Sequence, residues 1–142
     1  MTPSVTKVLE ECKAINKEHH YFTVLCEKEA LKKSAKGKLS GLFVTIKDNI
    51  CVKGVESTAT SRMLKGYKPL FDATIVAKLK KEGAVVLGKT SCDAFGFGSF
   101  NVNVGLDYKI PTNPFDTNRS TGGSSGGAAG ITQKASFSHV AI

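Results

Sequence analysis

The sequence has no long apolar run. None of its apolar stretches approaches the ~20 residues that a membrane-spanning helix needs. The first 30 residues alternate charged and apolar positions, so they also lack the apolar block of a secretory signal peptide. These two absences predict a soluble, intracellular protein that does not contact a membrane.

Arginine is scarce, because only Arg62 and Arg119 are found among the 20 basic residues. The net charge of +8 is spread thinly along the chain, with no dense run of Lys and Arg. Specific readers of phosphates or bases usually use the forked guanidinium of arginine. The sequence therefore favours a solvated basic surface over direct nucleic-acid binding.

Metal-ligand spacing is missing as well. The four cysteines, Cys12, Cys26, Cys51 and Cys92, form no C-x-x-C pair and have no histidine nearby at ligand spacing. We expect reduced, structural thiols and no metal site.

What is present indicates one α/β domain, since 142 residues can bury a real core and 41% of them are apolar. Residues 1 to about 36 are predicted to be helical, with Ser4 as N-cap and a second helix from Glu27 to Ala35. The first helix has an apolar stripe at three- to four-residue spacing, formed by Val5, Val8, Leu9, Cys12 and Ile15.

After residue 41 the apolar pattern changes to short strand-like runs. Strands are predicted at 42–46, 84–87 and 137–142, and a helix capped by Asp72 and ended by Gly83 lies between the first two. Its predicted core face is Ile75, Val76 and Leu79, and residues 90–121 are predicted to be mostly loop. This alternation predicts a mixed β-sheet flanked by helices. We expect a helical arm at residues 1–40 and one domain at 41–142.

One string has to be rejected as a nucleotide site. Gly83–Thr90 satisfies the phosphate-loop pattern G-x-x-x-x-G-K-[ST]. The four residues between its glycines are apolar strand formers preceded by a helix, so they cannot form a loop whose N–H groups converge on phosphate. We therefore predict that these four residues, Ala84–Leu87, form a short buried strand.

Two other features suggest chemistry. The run Gly122–Gly127 has the composition of a flexible linker, but its place between Arg119 and a small-residue helix is typical of a tight active-site turn with two hydroxyls. Lys47 follows an apolar strand and precedes Asp48 and Asn49. Most lysines at strand ends lie in water, whereas a buried amine is disfavoured in its charged form and could act as a general base.

Five strings, in this order and spacing, resemble the amidase signature family: GLFVTIKDN (41–49), AVVLGKT (84–90), DAFGFGS (93–99), NPFD (113–116) and GGSSGG (122–127). The lysine and the Gly-Gly-Ser-Ser-Gly-Gly block are the most specific of these features. The string DAFGFGS is most similar to the A subunits of glutamyl-tRNA(Gln) amidotransferases. The fold that this resemblance implies is the amidase signature fold, incomplete in this chain.

The resemblance implies a Ser–cis-Ser–Lys triad. Lys47 would be the neutral catalytic base, and Ser124 would be the bridging serine, with a cis peptide bond before it, that relays a proton from the nucleophile to Lys47. Gly122, Gly123, Ser125 and Gly126 would support the site or contact the substrate. The nucleophilic serine of the family would lie beyond Ile142, so the chain resembles the N-terminal portion of a longer protein.

The same resemblance implies that the whole protein hydrolyses glutamine and passes ammonia to partner subunits, which convert Glu-tRNA(Gln) to Gln-tRNA(Gln). No cofactor is expected in this chain, whereas ATP and Mg are expected at the partner subunit, and tRNA would be contacted indirectly. The expected location is the cytoplasm or an organelle matrix. Two alternatives stay open: a stand-alone amidase acting on a small amide, and a non-catalytic interaction module.

Overall fold

Helices and strands alternate along the chain. The computed structural model describes residues 3–32, 36–105 and 107–142. In chain order its main elements are α1 (Val5–His19), β1 (Phe22–Leu25), α2 (Glu27–Ala30), β2 (Phe43–Lys47), α3 (Thr74–Lys81), β3 (Val85–Thr90), α4 (Gly126–Lys134) and β4 (His139–Ala141). Short 3-10 turns lie at Arg62–Leu64 and Ala94–Gly96.

The four strands form one mixed sheet in the order β1-β3-β2-β4. β2 lies parallel to both β3 and β4, while β1 is antiparallel to β3. The prediction of a mixed sheet with flanking helices is therefore confirmed. β3 and β2 lie in the middle, so the strand that ends at Lys47 has a neighbour on each side.

Each face of the sheet packs against its own apolar cluster. Phe43, Val85 and Leu87 join side chains of α1 and α4 on one face. Val44, Ile46 and Val86 join Val76 of α3 and other side chains on the opposite face. Successive residues of β2 thus point to opposite clusters, as the two-residue period of a strand requires. This alternation decides which side chains of β2 face α4.

The N-terminal segment is only partly as predicted. Ser4 caps α1 by accepting a hydrogen bond from Lys7 N at 3.3 Å, and the predicted apolar stripe packs against the core. Phe22–Leu25, however, is a strand rather than part of a helical arm, and its pairing with β3 carries the sheet across the predicted boundary at residue 40. That boundary stays a prediction. α2 ends at Ala30, and residues 33–35 of the longer predicted helix lie outside the described residues.

The prediction that Asp72 caps α3 is wrong. Ala73 is the N-cap residue, and its side chain makes no capping hydrogen bond. The Asp72 carboxylate instead accepts hydrogen bonds from Lys53 N at 2.7 Å and from Lys80 Nζ at 3.0 Å. Lys80 also pairs with Glu29 of α2 at 3.0 Å. This lysine, near the end of α3, therefore joins the segment before the helix to α2.

The rest of the α3 and β3 prediction holds in part. Val76 is buried and Leu79 packs against its cluster, but Ile75 is 47% exposed. Gly83, at φ +89°, follows the helix as predicted. β3 runs on to Thr90, three residues beyond the predicted end of this strand at residue 87, and every residue of it is buried. No helix in the described parts of the chain is long and apolar enough to span a membrane.

Candidate active site

Lys47 is the last residue of β2, and it lies on the face that packs against α4. Its neighbour Ile46 points to the opposite cluster, so the alternation of the strand directs Lys47 toward α4. The amine donates a hydrogen bond to Ser124 Oγ at 2.8 Å. Two residues that lie 77 positions apart in the sequence are thereby brought into direct contact.

Ser124 lies in the turn that leads into α4. The peptide bond between Gly123 and Ser124 is cis, as the resemblance implied. The turn is attached to the preceding loop at two points: Asp93 N donates to the Ser124 carbonyl at 3.1 Å, and Gly123 N donates to the Ser99 carbonyl at 2.9 Å. These backbone bonds fix the position from which the Ser124 hydroxyl reaches Lys47.

The glycines of the turn are required by close approach. A Cβ atom at Gly123 would overlap the Asp93 carboxylate and come within 2.8 Å of Asn101 N. At Gly126 it would overlap the Thr121 hydroxyl and come within 2.8 Å of the Asn101 side chain. The Gly/Ser run is therefore a packed turn rather than a flexible linker.

Asp93 and Asn101 hold this turn, and the sequence did not single out either of them. The buried Asp93 carboxylate accepts hydrogen bonds from Asn101 N at 3.0 Å and from Asn103 N at 3.1 Å. Asn101 Oδ1 in turn accepts from Gly126 N, at the start of α4, at 2.9 Å. The signal for Asp93 was its place at the head of the DAFGFGS string, whereas Asn101 had no local signal.

Ser125 occupies the N-cap position of α4, but its side chain makes no capping hydrogen bond. Its carbonyl accepts a hydrogen bond from Ala129 N at 3.1 Å. The structure therefore gives the two adjacent serines different environments: the hydroxyl of Ser124 contacts Lys47, and the carbonyl of Ser125 starts the helix.

A buried ion pair lies next to Lys47 in the chain, on the opposite face of the sheet. No carboxylate of the described residues lies within 4.0 Å of its amine. The adjacent Asp48 pairs with Lys89 at 3.1 Å, and both side chains are fully buried. Burial raises the pKa of the Cys92 thiol, and the charge of Asp48 adds to the rise. A hydrogen bond with Thr60 and the charge of Lys47 oppose it.

All six site residues predicted from the sequence are found in one region. Lys47 contacts Ser124, and Gly122, Gly123, Ser125 and Gly126 surround that serine in the chain. Within residues 3–32, 36–105 and 107–142, no group of three potential metal ligands was found. A hydroxyl hydrogen-bonded to an amine is an arrangement through which a proton can pass, so the geometry suits acid–base chemistry between a reacting group and Lys47.

Comparison with known proteins gives this region a context. The family model described as Amidase matches residues 4–137. The A subunit of the glutamyl-tRNA(Gln) amidotransferase of Sulfurisphaera tokodaii is 46% identical over 140 residues, which cover 89% of this chain and 29% of that protein. The chain thus spans less than a third of the length of this relative.

Solved structures agree in fold. The crystal structure of the A subunit of the Thermotoga maritima glutamyl-tRNA(Gln) amidotransferase matches with a TM-score of 0.81 and 38% identity, over 89% of this chain and 27% of that one. A 6-aminohexanoate cyclic dimer hydrolase complexed with substrate matches with a TM-score of 0.79 and 28% identity, over 92% of this chain and 28% of that one. With the family model covering residues 4–137, the chain belongs to the amidase family, as the strings around Lys47 and Ser124 predicted.

Proposed function

We propose that this chain supplies the lysine and the bridging serine of a Ser–cis-Ser–Lys triad in a glutamine amidohydrolase. The observation that carries the proposal is the 2.8 Å hydrogen bond from Lys47 Nζ to Ser124 Oγ. Backbone hydrogen bonds hold both residues. Lys47 N donates to the Ile142 carbonyl at 2.6 Å, and the Ser124 carbonyl accepts from Asp93 N. An amine and a hydroxyl held in this way have a defined route for a proton.

In the proposed mechanism, a nucleophilic serine beyond Ile142 attacks the carboxamide carbon of glutamine. Its proton passes to Ser124 Oγ while the Ser124 proton passes to Lys47 Nζ. When the tetrahedral intermediate collapses, the proton returns by the same route to the departing nitrogen, so ammonia leaves and a glutamyl ester remains. Water then hydrolyses the ester and restores the serine. The net reaction converts glutamine and water to glutamate and ammonia.

The finer assignment is that the ammonia serves the conversion of Glu-tRNA(Gln) to Gln-tRNA(Gln). The name and the 46% identity of the Sulfurisphaera tokodaii relative support it. In this proposal the partner subunits bind ATP and Mg and contact the tRNA, while this chain requires no cofactor of its own. We place the assembly in the cytoplasm or an organelle matrix.

The experiment measures ammonia release from glutamine by the whole protein, with Ser124→Ala and Ser125→Ala as a matched pair. We expect Ser124→Ala to lower kcat by ~10²-fold or more with little change in KM, because the only described hydroxyl on Lys47 is lost. Ser125→Ala should retain most of the activity, since the Ser125 side chain makes no cap bond and the carbonyl that starts α4 remains.

Lys47→Ala is the second arm and should be at least as harmful as Ser124→Ala. If Lys47→Ala keeps kcat within a factor of a few of the parent, the triad assignment is wrong. Such a result would favour the non-catalytic interaction module.

The nature of the substrate is tested separately. We expect the whole protein with its partner subunits to form Gln-tRNA(Gln) from Glu-tRNA(Gln), glutamine and ATP. A protein that hydrolyses small amides with no response to Glu-tRNA(Gln) would be the stand-alone amidase, an alternative for which the similarity in fold to the cyclic dimer hydrolase is the supporting observation.

A further inference from the structure

Directly behind the candidate site lies a second lysine that the proposed reaction does not use. Lys89 of β3 is fully buried, and its amine donates hydrogen bonds to Asp48 Oδ1 at 3.1 Å, to the Asp48 carbonyl at 3.2 Å and to Ser57 Oγ at 2.8 Å. An ammonium group has three donors, and all three have partners here. Lys89 is therefore a fixed part of the protein interior, with no proton left for a ligand.

The carboxylate of Asp48, the partner of Lys89, also has hydrogen-bond donors on its second oxygen. Asp48 Oδ2 accepts hydrogen bonds from Thr58 Oγ1 at 2.6 Å and from Thr60 N at 2.9 Å. Asp48 N also donates to the Thr90 carbonyl at 3.0 Å, at the end of β3. The residue that directly follows Lys47 is thus held by the end of β3 and by the segment 57–60.

The pair lies on the opposite face of the sheet from Lys47. Lys89 is opposite Ile46 in the parallel pairing of β2 and β3, and Ile46 belongs to the cluster that faces α3. Lys47 is opposite Thr90 and points to the α4 face, where it contacts Ser124. Because side chains alternate along a strand, holding Asp48 on one face fixes Lys47 on the other.

An irregularity in the pairing of β2 with β3 places Lys89 on the same face as Asp48. The pairing of β2 with β3 is irregular between Val44 and Thr45, where β3 advances by one extra residue. A one-residue shift of this kind exchanges the faces of all residues beyond it. With the irregularity in place, Lys89 faces Asp48. Without it, Lys89 would point toward α4.

From this arrangement we propose that Asp48 and Lys89 are positioning residues for the reaction, and that their buried ion pair fixes the end of β2 so that the Lys47 amine reaches Ser124. The inference rests on the proposed function for its kinetic consequence, but its geometric content stands by itself. Buried ion pairs contribute little to stability compared with apolar residues of similar volume, and their best-attested use is to specify register. That use fits a pair placed one residue from a catalytic lysine.

The test compares, in the whole protein, a double variant of the Asp48–Lys89 pair with a control variant of another lysine. Asp48→Asn with Lys89→Met removes both buried charges together, so neither is left unpaired. Lys80→Met is the control, because Lys80 is likewise an ion-paired lysine, bonded to Glu29 and Asp72, but lies on α3. We expect the double variant to lose at least tenfold in kcat with KM within twofold, and Lys80→Met to retain the kcat of the parent.

Milder variants keep the test decisive if the double variant does not fold. Ser57→Ala and Thr58→Val each remove one hydrogen bond from the pair and leave both charges in place. Intermediate losses of kcat, at unchanged KM, support the inference. Variants that unfold at a lower temperature but keep the full kcat overturn it, because they would show that the pair serves stability alone.

A crystal structure separates this inference from the proposed function. In the double variant we expect the distance from Lys47 Nζ to Ser124 Oγ to exceed ~3.5 Å, beyond hydrogen-bonding range. If the distance stays at its parental value, the positioning role is wrong whatever the kinetics. If Lys47→Ala is active while the distance lengthens, the triad assignment fails and the positioning of Lys47 by the pair still stands.

Discussion

Three of the four cysteine thiols, those of Cys12, Cys26 and Cys92, are buried, and only Cys51 is partly exposed. Burial raises the pKa of Cys12 to about 12, with a contribution from the charge of Glu11, and burial also raises the pKa of Cys26 to about 12. The thiolate is the reactive form of cysteine, so these two thiols are inert for two reasons: they are inaccessible, and they are protonated at neutral pH.

Alkylation checks this. At pH 8.5 a thiol with a pKa of about 12 is ionised to about one part in three thousand, so iodoacetamide should modify native Cys51 much faster than Cys12 or Cys26. In the 142-residue chain we expect one equivalent of rapid modification in the native state and four in denaturant, measured by mass spectrometry. Cys51→Ser should abolish the rapid phase. Rapid modification of Cys12 in the native state would contradict the buried position of α1.

At the scale of elements, α4 shows how close packing overrides helix propensity. Gly130 lies inside this helix, where glycine is ordinarily unfavourable. A Cβ atom there would overlap the ring of Tyr21. That ring is fully buried, stacks on His19 with 5.2 Å between centroids, and its hydroxyl donates to the Thr112 carbonyl at 2.9 Å. Glycine is therefore required for α4 to lie against Tyr21.

Gly130→Ala should lower the free energy of unfolding by up to about 2 kcal/mol. The higher helix propensity of alanine would add about 1 kcal/mol of stability, but forcing a methyl group into a filled core costs about 1–3 kcal/mol. The Tyr21 ring cannot move aside without losing the hydrogen bond of its hydroxyl. Urea denaturation measures the change. In a Tyr21→Leu background the same substitution should cost less, because the overlapping ring is gone. A stabilising effect of Gly130→Ala in the parent would contradict this packing.

β4 provides a pH-sensitive element. Burial lowers the pKa of His139, although a hydrogen bond with the Phe137 carbonyl opposes the shift. The pKa of His20, at the end of α1, is lowered by burial and by the charge of Lys109. In both cases the unfolded chain binds a proton more readily than the folded one, so stability rises with pH in this range.

We therefore expect the free energy of unfolding to fall as the pH is lowered from 7.5 through the ordinary histidine value of 6.5. The combined variant His20→Gln, His139→Gln should show a flatter dependence above pH 5. Glu29 does not interfere, because its pKa is lowered, chiefly by Lys32, and its contribution is lost only below 4.5. A parental stability that is constant between pH 7.5 and 5 would contradict this prediction.

The elements also show which kinds of structure a sequence reveals. α1 was predictable because its cap and its apolar stripe are local signals. β1 was not, because Phe22–Leu25 is only four residues long and becomes a strand through pairing with β3, more than 60 positions away. Asp72 was misassigned for the same reason: a cap is a local interaction, and its actual partner Lys80 lies at the other end of α3.

The candidate site divides in the same way. Lys47 and the Gly122–Gly127 turn were found from strings that resemble the amidase signature family. Lys89 lies within one of those strings, but its role depends on Asp48, 41 residues away, and on the irregular register of β3. Asn101 had no local signal, because its side-chain oxygen accepts a hydrogen bond from Gly126 N, 25 residues further along the chain. Such contacts depend on tertiary structure, which spacing alone does not reveal.

At the scale of the whole molecule, apolar side chains on the surface coexist with a net charge of +8. Met63, Leu70, Phe97 and Phe115 are each more than 80% exposed. Exposed apolar surface promotes association, whereas a net charge far from zero opposes it. Charge repulsion is screened by salt, and the attraction between apolar surfaces is not.

The 142-residue chain should therefore associate more strongly as salt is raised. We expect light scattering at a fixed protein concentration to increase between about 20 and 500 mM NaCl, where the Debye length falls below ~5 Å. A Phe97→Ser, Phe115→Ser variant should scatter less at the higher salt, with Tyr67→Ser as a less exposed control. Association that weakens as salt is added would show that ion pairs between molecules, rather than apolar contacts, hold the particles together.

The position of β2 between β3 and β4 has a consequence for synthesis on the ribosome. Lys47 is made early, but its backbone N–H bonds to the carbonyl of Ile142, and its amine bonds to a serine made 77 residues later. At a translation rate of about 5–20 residues per second, about 5–20 seconds pass before the later of these two partners is made, and longer before it leaves the exit tunnel. The contact between Lys47 and Ser124 therefore forms only after a further 77 residues, more than half of the 142-residue chain, have been made, and the backbone bond that anchors Lys47 forms later still, when β4 docks beside β2.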